Sequence, residues 1–182
     1  MSADLVAHFK AMARNNRWAN HRLHEACMAL GPGEFTAART GFFPSLSATL
    51  NHIHAIDLYY IDALVSGGLG RAAWRNHAEM EDAAALAAAQ AATDRRLIAF
   101  CEALPAADCE RRVPMDREED GIFEERIVDI LAHLFQHQIH HRGQAHAMLS
   151  GTSVKPPQLD EFYLAYDRAN DIDEALRERN RR

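Results

Sequence analysis

The chain has 182 residues, 48% of them hydrophobic and 25% charged, and carries a formal net charge of −6. This composition suits one ordinary globular domain over residues 1–182, long enough to bury about 70% of the surface that its unfolded form exposes. The acidic balance disfavours nucleic acid as a partner, no apolar run approaches the ~20 residues of a membrane span, and three cysteines with no CxxC spacing make no disulfide framework.

The start, Met1-Ser2-Ala3-Asp4, lacks the basic-then-apolar layout of a signal peptide, so a cytoplasmic location is expected. Leu5 to Leu30 contains neither Gly nor Pro and repeats apolar residues at helical spacing, and Gly31-Pro32-Gly33 stops it. After a polar stretch, Pro44-Ser45 opens a second helix that runs to about Val65 and closes at Gly67-Gly68. A loop containing Trp74 leads to an alanine-rich helix from about Met80 to Leu104, with Pro105 beyond it. Between Cys109 and Glu124, extended residues flank the turn-forming pair Asp120-Gly121, which predicts a short hairpin. A further helix spans about Glu124 to Leu149, and Pro156-Pro157 precedes a shorter one from about Gln158 to Leu176. Four helices of about 20 residues or more, each about 30 Å long and joined by short connections, predict an all-α four-helix bundle.

The fourth long helix carries the chemistry. His133, His137 and His141 recur at four-residue steps, with His140 among them. Ile130, Leu134, Ala145 and Met148 form its apolar stripe, and His137 and His141 fall within about 50° of that stripe's centre. His133 and His140 lie at the edge, and His146 is nearly opposite. One imidazole on an apolar face is usually a hydrogen-bonded core residue. Two stacked in register would leave donors and acceptors to satisfy in an apolar core, so the pair points to a metal ion. The spacing lacks the Glu that serves as base in HExxH peptidases, since Gln138 stands there.

A third ligand must come from another helix. The second helix offers His52, His54 and Asp57. Periodicity leaves all three open: Asp57 lies on the stripe of Leu46, Leu50, Ile53 and Ile61, His54 lies near it, and His52 sits on a second, partly apolar face. Asp57, Glu124 and Glu125 could also supply a base, though structural salt bridging is the expected role. Arg142 could pair with a substrate carboxylate, but a surface ion pair is the favoured reading. Trp18, Asn20, Tyr59 and Tyr60 are read as core packing, and no residue is named catalytic.

Three segments together resemble the DinB family, within the DinB/YfiT-like bundle proteins. They are Asn16-Arg17-Trp18-Ala19-Asn20, then Leu50-Asn51-His52 with Asp57 beyond, and then His133-Leu134-Phe135-Gln136-His137-Gln138-Ile139-His140-His141-Arg142-Gly143-Gln144. The chain departs from the family pattern at Gln136, where Asn is common. The resemblance implies a four-helix bundle with a short hairpin excursion before the metal-binding helix and an extra C-terminal helix. It also implies that His52, His137 and His141 hold one divalent metal ion, Zn or Ni, with His54 as the alternative to His52. A small-molecule substrate, a role in stress response and a homodimer are further implications. The implied chemistry adds a low-molecular-weight thiol to a small electrophile or uses metal-activated water. A non-catalytic metal-binding bundle is the alternative.

Overall fold

Uninterrupted helical periodicity carries α1 over Ser2–Met28, and Gly33, at φ 78°, turns the chain beyond it. The computed structural model describes residues 2–160. Ser45 accepts a hydrogen bond from Ala48 N at 3.0 Å and so caps α2, Leu46–Leu64. One helical turn, α3, Ala72–Arg75, lies inside the loop that carries Trp74. Asp82 Oδ1 accepts from Ala85 N at 2.7 Å and starts α4, Ala83–Ala103. Asn51 fixes the approach to α4 by two bonds to one residue, accepting from Met80 N at 2.8 Å and donating to Met80 O at 2.9 Å.

The hairpin is present: β1, Arg112–Asp116, pairs antiparallel with β2, Ile122–Arg126, in a register that sets Pro114 opposite Glu124. Gly121 sits at φ 91° in the connection, a conformation open to glycine at little cost. The strand continues to Arg126, so α5 spans Ile127–Leu149 and begins three residues later than periodicity predicts. Val113 and Met115 face the core and hold β1 down, while Glu124 and Glu125 remain on the strand. The helix expected from Gln158 to Leu176 lies outside the described residues, apart from Gln158–Asp160, which are not helical.

Packing follows a closed order: α1 lies against α4, α4 against α2, α2 against α5, and α5 against α1. This is the four-helix bundle. No described helix is long and apolar enough to cross a membrane. The core is divided. One apolar cluster unites Phe9, Ile61, Leu97 and Leu131 with the hairpin's Val113 and Met115, and a second unites Leu23, Leu50, Leu86 and Leu149. Between the two clusters along every helix stands a polar layer: Asn16 and Asn20 of α1, Asp57 of α2, Gln90 and Asp94 of α4, and Gln138 and Arg142 of α5, all buried.

Candidate metal centre

At the level of that polar layer, on the seam between α2 and α5, His52, His137 and His141 come together. One ligand atom from each lies within 4.8 Å of the others. His52 Nε2 and His137 Nε2 are 3.0 Å apart, and the His141 ring stands 4.6 Å from that of His52 and 4.4 Å from that of His137, centroid to centroid. Imidazole nitrogens bound to one tetrahedral ion at 2.0–2.1 Å stand about 3.3 Å apart, so this cluster is close to that spacing. His141 Nδ1 donates to Gln144 Oε1 at 2.9 Å, which leaves the Nε2 lone pair available for a metal. His137 Nδ1 is buried without a partner. Three neutral nitrogens with no acidic neighbour among them suit Zn(II) or Ni(II), and no other described His, Cys, Asp or Glu joins the group.

Electrostatics keep the rings neutral. Burial, reinforced by His141, brings His52 down to about 4; burial, reinforced by His141 and His52, brings His137 down to about 3. Burial also lowers His141, although its bond to Gln144 works the other way. Phe43, in the loop before α2, packs against two of the trio, with its ring centroid 4.5 Å from that of His52 and 5.6 Å from that of His141. Sequence reasoning did not find Phe43, because nothing in an irregular loop shows which way an aromatic ring turns.

The other candidates separate cleanly. His54 faces α4, with Nδ1 2.9 Å from His77 Nε2 and Nε2 3.1 Å from Thr93 Oγ1. His133 and His140 are exposed, and His146 is bonded to Pro157 O at 2.9 Å. Gln136, the departure from the family pattern, is exposed and lines an apolar groove with Leu5, Phe9 and Ile139. Trp18, Tyr59 and Tyr60 are buried, as core packing requires.

Three sequence readings need correction. Arg142 is not a surface ion-pairing residue: it is 5% exposed, and its Nη1 donates to Asn16 Oδ1, to Asn20 Oδ1 at 3.0 Å and to Gln138 Oε1 at 2.9 Å. Asp57 makes no salt bridge among the described residues but accepts from Gln138 and, at 2.8 Å, from Gln90. Asp94 accepts from Asn20 at 3.0 Å and from Gln90 at 3.0 Å. Asn20 is therefore a member of this network rather than simple packing. Burial raises Asp57 well above the usual carboxylate range and pushes Asp94 up to about 6. A signal for the layer was present: Asn16/Asn20, Gln90/Asp94 and Gln138/Arg142 are polar pairs four residues apart, each on one helix face.

His24 and His54 also lie buried beside this layer, each held down at about 4 chiefly by desolvation, with His54 and His21 adding repulsion at His24. The unfolded chain protonates such a ring near 6.5 and the folded one resists until about 4, so its stabilisation is complete above 6.5 and falls as pH drops toward 4. Asp94 acts in the opposite sense, losing stability as pH rises from 3.8 through about 6. Comparing variants isolates His24: between about pH 7 and about pH 5 the parent should lose about 2 kcal/mol more than His24→Leu in urea unfolding. Equal losses in the two proteins would refute this.

A model of the DinB family matches residues 1–174. The chain is also similar to the crystal structure of a DinB-like protein from Bacillus subtilis, at 16% identity and a TM-score of 0.59, over 86% of this chain and 97% of that one. At that identity the likeness shows the fold. No curated protein matches the chain.

Proposed function

The chain belongs to the DinB family, and from that premise we propose that it is a divalent-metal enzyme in which His52, His137 and His141 hold one Zn or Ni ion. One observation carries the reading: two helices whose ligands are 85 residues apart in sequence bring imidazole nitrogens to 3.0 Å. When bound, a divalent ion on three neutral imidazoles supplies a Lewis acid that favours thiolate or hydroxide at neutral pH. The chain's own groups do the rest. Gln144 fixes the His141 tautomer, and Phe43 screens His52 and His141 from water. The favoured reaction class adds a low-molecular-weight thiol to a small electrophile: the C–S bond forms as a π or strained-ring bond at the electrophilic carbon breaks, and the thiol proton passes by way of solvent to the atom that receives that bond's electron pair.

A test follows from the ligand count. Chelator-treated protein reloaded with Zn or Ni should accelerate adduct formation between small thiols and an electrophile panel, and the stripped sample should not. Turnover that is indifferent to stripping would overturn the proposal. A second reading, a non-catalytic bundle stabilised by its ion, is favoured by the same seam position, since the trio links α2 to α5. It expects a large metal-dependent rise in melting temperature with no turnover.

A further inference from the structure

A second cleft opens on another face of α5, between it and α1, with a volume of about 480 Å³ and walls that include Asn15, Ile139, Arg142, Gly143, Leu159 and Asp160. None of the histidine trio lines it. What distinguishes it is the state of Arg142.

A guanidinium carries five N–H donors, and taking it out of water is costly unless carboxylates or other acceptors surround it. All three hydrogen bonds of Arg142 leave from Nη1, and all three end on amide oxygens. Asp57 and Asp94 reach it only through intervening amides: Gln138 donates to Asp57, and Asn20 donates to Asp94. Nε and Nη2 make no hydrogen bond among the described residues, and Arg142 is one of the residues that line the cleft. A residue 5% exposed therefore stands at the cleft wall with two guanidinium nitrogens that no described group satisfies.

The wall beside it is bare for a reason. Gly143 stands inside α5, where glycine weakens a helix relative to alanine. A Cβ built on Gly143 meets no heavy atom within 4 Å, so packing does not demand glycine there. An empty wall next to an unfilled guanidinium edge is what a ligand needs for close approach.

We infer that this cleft is a binding site for a small organic monocarboxylate, held by paired N–H bonds from Arg142 Nε and Nη2, with its apolar end against Ile139 and Leu159. The two parallel donors of that edge match a planar carboxylate. The Asp160 side chain in the same wall disfavours a doubly charged phosphate. The site is separate from the histidine trio and does not depend on the activity proposed for it. It also gives each residue after His141 a distinct place: Arg142 at the cleft, Gly143 as its wall, and Gln144 on His141.

The experiment titrates the His137→Ala protein, which lacks the candidate metal site, with acetate, propionate and butyrate, and follows backbone amide resonances by NMR. Propionamide and inorganic phosphate serve as comparison probes. Saturable shifts at Asn15 and Gly143 are expected with the carboxylates, strengthening from acetate to butyrate and absent with propionamide. Because Arg142 also holds the polar layer, the decisive variant is Gly143→Leu, which fills the cleft and leaves that layer intact. It should weaken butyrate binding by about tenfold or more while the melting temperature holds or rises. No saturable shift with any carboxylate, phosphate binding as tightly as butyrate, or undiminished binding in Gly143→Leu would each overturn the inference.

Discussion

His137→Ala should abolish stoichiometric binding of Zn or Ni while the bundle stays folded. Losing a residue that only supports a ligand typically costs 10–100-fold in metal affinity, so losing one of three ligands should exceed about 100-fold. His137 Nε2 lies 3.0 Å from His52 Nε2, and its ring centroid lies 4.4 Å from that of His141. Its removal leaves two imidazoles that an ion can share only with water. The helix tolerates the change, because His137 is half-buried and its Nδ1 has no partner to lose. Competition against a chromophoric chelator measures the affinity, and far-UV circular dichroism checks the fold. His133→Ala is the matched control on an exposed ring of the same helix, and its affinity should match the parent's. Equal affinity in His137→Ala and the parent would remove the metal centre from this site.

Arg142→Leu should destabilise the bundle by about 3–5 kcal/mol. The change strands Asn16 Oδ1, Asn20 Oδ1 and Gln138 Oε1 in the polar layer, each of which loses the donor that satisfies it. It also withdraws a positive charge that favours the ionised forms of Asp57 and Asp94. Leucine nearly fills the volume, so the loss comes from unsatisfied polar groups rather than from a cavity. Urea unfolding should show a midpoint shift at unchanged slope, and a thermal midpoint lower by roughly 10 °C. A loss below about 1 kcal/mol would mean that the layer is hydrated and that Arg142 does not organise it.

The family pattern and the helix boundaries were readable because both are local. Capping by Ser45 and Asp82, the stops at Gly33 and Gly67-Gly68, and the Asp120-Gly121 turn act within a few residues of chain. The inward direction of His137 and His141 was readable too, since α5 is polar on one side and its apolar stripe has one centre. The start of α5 was misplaced by three residues. Cross-strand pairing of Glu124 with Pro114 and Glu125 with Val113 holds those residues extended, and pairing partners ten or more residues away leave no mark in helical periodicity.

The choice between His52 and His54 shows where local pattern stops. Helix α2 packs against α4 on one flank and α5 on another, so both faces are buried and its hydrophobic wheel has no single inside. His54 meets Thr93 across one interface and His52 meets His137 across the other, and only assembled neighbours distinguish them. Arg142 was misjudged for the same reason. On an isolated helix, a charged residue four positions from a glutamine looks like a solvated edge. Three other helices supply Asn16, Asn20, Asp57, Gln90 and Asp94 at that level, and together they make burial of the charge sustainable. The sequence by itself determined which segments coil and which face of α5 is apolar, because those are properties of one chain segment in water. Which imidazoles meet, and which polar groups satisfy one another, was decided only when the four helices closed, because both depend on distances between segments that no single segment encodes.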